Sequence, residues 1–191
     1  MNILFATHNL HKAREVNDII GRSFQVLTLN DIDFRDEITE NGNSFADNAM
    51  IKANAGFIEN GIPCFADDSG LEVMALGGAP GIHSARYAGE PKDDQKNIEL
   101  LLRNMSEKVD RRARFVTVLC FINHAGTHFF EGVCEGTIIH HPRGKDGFGY
   151  DPIFIPNGHK KTFAEIDPSE KNRISHRGQA MEKFKTFLRQ K

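Results

Sequence analysis

Residues Phe65 to Gly89 read F-A-D-D-S-G-L-E-V-M-A-L-G-G-A-P-G-I-H-S-A-R-Y-A-G, and no other stretch of this 191-residue chain is as informative. An apolar, strand-like lead from Pro63 delivers two adjacent carboxylates, Asp67 and Asp68, onto Ser69 and Gly70. There the backbone is expected to turn and expose the acids at a strand end, which presents a hard oxygen site. Successive strand side chains point to opposite faces, so a regular strand cannot aim both acids at one ligand. One acid is therefore expected to work and the other to support it. The tetrapeptide alone reads better as an acidic turn capped by Ser and Gly. Gly77, Gly78, Pro80 and Gly81, with Arg86 just beyond, argue against an ordinary surface loop.

Working outward, Asn2 to Ala6 reads as a short buried strand, and His11 to Gly21 puts Ala13, Val16, Ile19 and Ile20 on one helical face. Gln25 to Leu29 is a second strand, followed by an acidic loop from Asn30 to Gly42. Ser44 or Asn43 then caps a helix in which Phe45, Ala49, Ala53 and Phe57 recur every four residues, stopped by Gly61 and Pro63. Asp93 to Met105 is a polar helix with Ile98, Leu101, Leu102 and Met105 as its apolar stripe. Ala113 to Asn123 and Thr127 to Ile139 form a long antiparallel hairpin, Pro142 to Pro156 a loop with a short apolar piece, and Gln179 to Gln190 a terminal helix. Strands mixed with helices plus one hairpin imply an α/β fold whose sheet is not purely parallel, built as a single domain over residues 1–191.

The bulk numbers exclude several classes. Lys and Arg number 24 against 26 Asp and Glu, a net charge of -2, so no global field attracts nucleic acid. The longest apolar runs, such as Phe115 to Ile122, are strand-sized and do not span a bilayer. The start at Met1 shows no basic leader, and a cytoplasmic location is expected. Cys64, Cys120 and Cys134 are widely spaced in apolar stretches and read as buried thiols. The nine histidines include no helical H-E-x-x-H frame.

Three further segments and one lysine carry candidate chemistry. Thr7, His8, Asn9, Leu10, His11 and Lys12 lie where the first strand meets the first helix, a place that favours anions, and Lys12 adds a full charge. The loop D-G-F-G-Y-D, Asp146 to Asp151, sets Phe148 between two glycines, suited to stacking on a nucleobase. Lys171 to Gly178, K-N-R-I-S-H-R-G, concentrates donors for a base carbonyl or a phosphate. Lys52 shares a helix face with Asn48 and is a candidate to join them. With a carboxylate for Mg²⁺, these are the parts of a nucleoside triphosphate site.

Five blocks in order, T-x-N-x-x-K (Thr7, Asn9, Lys12), F-A-D-D-S-G-L (Phe65 to Leu71), G-G-A-P-G-I-x-S-A-R-Y (Gly77 to Tyr87), G-F-G-Y-D-P-I-F (Gly147 to Phe154) and S-H-R-G-Q-A (Ser175 to Ala180), span nearly the whole chain. In these the chain resembles the inosine/xanthosine triphosphate pyrophosphatases, house-cleaning nucleotide hydrolases. The resemblance implies an elongated mixed β-sheet with flanking helices, two lobes around a central nucleotide-binding cleft, and a homodimer. It implies a Mg²⁺-dependent enzyme that splits ITP, dITP or XTP into the monophosphate and pyrophosphate. By position, Thr7 to Lys12 bind the triphosphate, Asp68 ligates Mg²⁺ and accepts a proton, and Ser69 contacts substrate. Phe148, Gly149, Tyr150, Asp151, Lys171, His176 and Arg177 complete the nucleotide pocket. Thr39 stands where the resemblance calls for a metal-binding Glu, so the second ligand is Glu40, or Glu37 further back. Other readings of the same residues are a Maf-like pyrophosphatase acting on modified pyrimidine nucleotides and a non-catalytic nucleotide sensor.

Overall fold

The computed structural model describes residues 2–20 and 24–190. In chain order the regular elements are β1 (Asn2–Phe5), α1 (Leu10–Ile20), β2 (Gln25–Thr28), α2 (Phe45–Asn60), β3 (Cys64–Val73), α3 (Asp94–Asn104), β4 (Arg112–Asn123), β5 (Gly126–Ile138), β6 (Phe154–Pro156), α4 (Pro168–Ile174) and α5 (His176–Arg189). The expected end of the first helix at Gly21 lies outside the described residues. The six strands form a mixed sheet in the order β2-β1-β3-β4-β5-β6. β1 pairs in parallel with β2 and β3, and β6 pairs antiparallel with the end of β5. The fold is α/β with a sheet that is not purely parallel, as the element pattern indicated.

The chain divides into two compact units, one of Met1–Asp68, Thr117–Gly132 and Arg177–Lys191, the other of Ser69–Val116 and Val133–His176. In the first unit the period-2 pattern of the strands sorts side chains into two clusters. Ile3, Phe5 and Phe65 pack with Val16 and Ile20 of α1 and Met181 and Phe184 of α5. Leu4, Ala6, Cys64 and Ala66, one residue out of step, pack with Ala49 and Ala53 of α2. Small residues line that face of α2 because the helix lies close: a Cβ on Gly56 would stand 2.8 Å from the Cys64 sulfur and 3.0 Å from Leu4 Cδ2. The caps are those the sequence suggests. Ser44 accepts the Asp47 amide at 3.1 Å, and Gly61, left-handed at φ 65°, closes α2 by donating to the Phe57 carbonyl.

The second unit has its own core of Leu71, Val73, Ile98, Leu101, Phe115, Phe154 and Phe163. Tyr150 joins it, its hydroxyl donating to the Ser84 carbonyl at 2.9 Å. Among the described residues no helix is long and apolar enough to cross a membrane. Cys64, Cys120 and Cys134 are buried, and burial pushes their thiols up to about 12, 12 and 11.

Two expectations need correction. β3 does not end at the acid pair but runs on through Ser69 and Gly70, so Asp67 and Asp68 sit mid-strand and buried. Leu71 and Val73 explain this, since they continue the strand alternation into the second unit's core. The terminal helix begins at His176 rather than Gln179. Before it, Asp167 accepts the Ser169 amide and Pro168 takes the first turn, so Lys171 lies on a separate seven-residue helix, α4.

Candidate active site

The alternation that sorts the first unit's core also sorts its acids. Asp67 falls in step with Phe65, on the side of α1 and α5, and Asp68 in step with Ala66, on the side of α2. Asp67 accepts from Lys12 Nζ at 3.1 Å and from Arg177 Nε and Nη2 at 3.2 and 3.1 Å. Arg177 Nη1 donates in turn to Glu15. Arg177 is 2% exposed; burial alone would lower its pKa, but Asp67 and Glu15 outweigh it and raise it. Burial pushes the Lys12 ammonium down, Asp67 opposes this, and the like charges of Lys52 and Arg177 add to it.

Asp68 has different company. Its Oδ1 is 3.3 Å from Lys52 Nζ, and its Oδ2 accepts from Asn48 Nδ2 at 3.2 Å. Lys52 also donates to Glu40 Oε2 at 2.5 Å, so two carboxylates share one ammonium. Burial raises the Asp68 pKa above its ordinary value and Glu40 adds to the rise, against the pull of Lys52, Lys12 and the Asn48 bond. For Lys52, burial alone would lower the pKa, but Asp68 and Glu40 hold it above the usual lysine range. A buried carboxyl raised in this way suits a proton acceptor.

The turn before α1 is locked by its own side chains. Asn9 Oδ1 accepts the amides of His11 and Lys12 at 2.9 and 3.2 Å, and Thr7 Oγ1 accepts the Asn9 amide at 3.1 Å. These amides are engaged, so attraction for an anion here falls to the Lys12 charge and the helix dipole. The His8 ring lies 3.3 Å from Asn30 Oδ1 and 3.2 Å from the Asp36 carbonyl, and Leu10 is exposed.

In the second unit the D-G-F-G-Y-D loop folds around Asp151. Its Oδ2 accepts from the Phe148 amide at 2.9 Å and from Lys171 Nζ at 2.7 Å. Gly147, at φ 79°, is required because a Cβ there would meet that oxygen at 2.1 Å. Asp94 in the first turn of α3 accepts the Gly149 amide at 2.7 Å. Lys171 Nζ stands 5.2 Å from the Phe148 ring centroid, a cation–π contact on a half-buried ring. The His176 ring is 5% exposed and stacks on Phe115 at 4.7 Å and 11°.

Of the residues singled out in the sequence, Thr7 to Lys12, Glu40, Lys52, Asp68 and Arg177 belong to the first unit, and Ser69, Phe148 to Asp151, Lys171 and His176 to the second. Two junctions between the units fall inside the candidate set, at Asp68/Ser69 and His176/Arg177. The structure brings Lys12 and Arg177 together on Asp67, and Glu40 and Lys52 together with Asp68. The sequence reading missed Glu15, Asp94 and the bonds of Asn48. Only Asn48 had a local signal, its four-residue spacing from Lys52.

Glu40 and Asp68 also answer whether these residues suit Mg²⁺. Both are oxygen donors, both converge on a single cation, and burial and the Glu40 charge disfavour the ionised form of Asp68. Among the described residues no group of three or more His, Cys, Asp or Glu could hold a metal ion by itself. One or two carboxylates completed by phosphate oxygens is the donor set that Mg²⁺ takes. The pair fits that ion.

The chain matches the Ham1 family over residues 3–187. It is 46% identical over 188 residues to the dITP/XTP pyrophosphatase of Christiangramia forsetii, covering 98% of this chain and 99% of that protein. To the dITP/XTP pyrophosphatase of Bacillus subtilis it is 47% identical over 189 residues, covering 97% and 96%. The structure of a HAM1 protein from Coxiella burnetii matches with a TM-score of 0.91 and 40% identity over 100% of both chains. The five sequence blocks, the mixed sheet and a family match from the first strand to the last helix agree, and the chain belongs to the Ham1 family.

Proposed function

We propose that this protein is a Mg²⁺-dependent pyrophosphatase that hydrolyses non-standard purine nucleoside triphosphates, dITP, XTP and ITP, to the monophosphate and pyrophosphate. The observation that carries the reading is the pairing of Asp68 and Glu40 on Lys52, beside Lys12, in a chain whose relatives bear the name dITP/XTP pyrophosphatase. Lys12 and Lys52 draw the triphosphate by charge, with the N-terminus of α1 behind Lys12. Asp68 and Glu40 would hold Mg²⁺, which when bound would spread the phosphate charge that otherwise repels a nucleophile. Asp68 takes a proton from a water whose oxygen bonds to the α-phosphorus, the anhydride bond between the α- and β-phosphates breaks, and its electron pair leaves with pyrophosphate. Arg177 acts through Asp67, holding that carboxylate against Lys12.

Base choice is assigned to the Phe148 loop and His176, as the resemblance implies. Phe148, backed by Lys171, stacks on the purine, with Ser69, Gly149, Tyr150 and Asp151 shaping the surroundings. The amides of Phe148 and Gly149 already donate to Asp151 and Asp94, and His176, which the resemblance implies for the pocket, is the donor we assign to the 6-oxo group. Adenine, with an amino donor at that position, leaves the donor unpaired.

The test is product identification with XTP, dITP, ITP, GTP, ATP and a modified pyrimidine triphosphate in Mg²⁺. Pyrophosphate and monophosphate from the first three, with ATP slow, is the expected result. Release of orthophosphate, preference for the pyrimidine, or binding without hydrolysis would overturn the reading.

A further inference from the structure

Asn48 of α2 is 4% exposed and faces two groups that the sequence keeps apart. Its Oδ1 accepts the Gly42 amide at 2.9 Å, and its Nδ2 donates to Asp68 Oδ2 at 3.2 Å. The orientation of the amide is fixed by its partners. A backbone N–H only donates, so the oxygen must face Gly42, and an ionised carboxylate only accepts, so the nitrogen must face Asp68. Gly42 ends the tract that carries Glu40. A Cβ on it would stand 2.5 Å from Asp47 Cβ and 2.8 Å from Asn48 Oδ1, so the tract is pressed against α2 with no room for a side chain. The Asn43 amide adds a second tie by donating to Asp47 Oδ2 at 3.2 Å. One buried side chain thus joins the strand bearing Asp68 to the tract bearing Glu40, and it leaves Asp68 Oδ1 facing Lys52.

We infer that Asn48 is a positioning residue, whose amide holds the Asp68 carboxylate and the Glu40 tract in one fixed arrangement so that both acids meet the cation and the phosphates together. The inference rests on the proposed function for what the two acids do, and on the geometry above for what Asn48 does. In this role it acts through Asp68 and the Glu40 tract. Residues in this position behind metal-binding carboxylates change metal affinity or activity by about 10- to 100-fold when altered.

Two variants separate its bonds. N48A removes both; N48D keeps an acceptor for the Gly42 amide, lacks the donor, and sets a carboxylate against Asp68. Three measurements apply: XTP turnover in Mg²⁺, Mn²⁺ affinity by electron paramagnetic resonance with an α,β-methylene inosine triphosphate, and amide exchange at Gly42 without ligand. In N48A the expected result is a kcat about 10-fold lower, KM within about 2-fold, a Kd for Mn²⁺ about 10-fold higher, and faster Gly42 exchange. In N48D, Gly42 stays protected and kcat still falls about 10-fold. A folded N48A with kcat and Mn²⁺ affinity unchanged would overturn the inference, even if its Tm is lower, because a merely structural role predicts that pattern. If N48A does not fold, N48D decides alone, and wild-type turnover in it would overturn the inference. Failure of the wild-type enzyme to release pyrophosphate from XTP would sink the functional reading instead, and the Mn²⁺ and exchange data would still decide the role of Asn48.

Discussion

Asp67 and Asp68 are the same residue type, adjacent on one strand and both buried, yet the two faces of β3 treat them differently. The Asp67 side chain is 3% exposed and meets two cations, Lys12 and Arg177, the guanidinium bringing two donors. The Asp68 side chain is 11% exposed and shares one lysine with Glu40, with an uncharged amide as its other partner. Two positive charges compensate the burial of Asp67. For Asp68 burial prevails, its carboxyl is held above the ordinary range, and a further cation and a proton are both welcome there. The difference teaches that partner charge, not residue identity, assigns the roles in a carboxylate pair. On this account Asp67 anchors and Asp68 reacts.

Exchanging the acids one at a time is the strongest way to break the comparison. D68N is expected to lower kcat for XTP by roughly 10²-fold or more, the span of a lost general base, while Tm stays the same or rises. D67N is expected to do the reverse. It leaves Lys12 and Arg177 short of a counter-charge, at a cost of about 3 kcal/mol, and should lower Tm by roughly 6–12 °C while kcat stays within about 10-fold. Melting curves beside steady-state rates check both, and equal loss of turnover in the two variants would erase the distinction. A control away from β3 sharpens it: F148A is expected to raise KM about 10-fold through lost base stacking, with kcat nearly unchanged.

The smallest expected effects are in the pH dependence. Asp68 must be ionised to accept a proton, so kcat falls as pH drops through its pKa, which burial raises in the metal-free protein and a bound cation would lower. The sign for stability is opposite. A folded-state pKa above the unfolded one means that the folded protein holds that proton more tightly, so this contribution is present at low pH and is lost as pH rises through the folded value. On the alkaline side Lys12, lowered by burial, loses its charge before Lys52, whose pKa is raised. KM for XTP should rise there in the wild type, and K12R should remove that rise.

Much of this was legible in the sequence because it depends on local periodicity. The opposite facing of Asp67 and Asp68 follows from strand geometry, and the Ser44 cap follows from residue type and position. The five blocks located the candidate residues and the family. What escaped was set by partners far away in the chain. Arg177 reads as one more donor in a basic cluster, and nothing near it reveals that Asp67, 110 residues earlier, and Glu15 hold its side chain. The continuation of β3 escaped because Ser69 and Gly70 resemble a turn, and only the core that receives Leu71 and Val73 overrides that preference. Helix α4, at seven residues, is too short to show a periodic signal, although Asp167 and Pro168 mark its start.

The central claim is that the cation belongs to the Asp68 face of β3 and not to the Asp67 face. A crystal structure of the protein with Mn²⁺ and an α,β-methylene inosine triphosphate, with the ion placed by its anomalous signal, tests this most directly. The account predicts an ion in contact with the carboxylates of Asp68 and Glu40. An ion bound to Asp67, or one touching neither Asp68 nor Glu40, would contradict it.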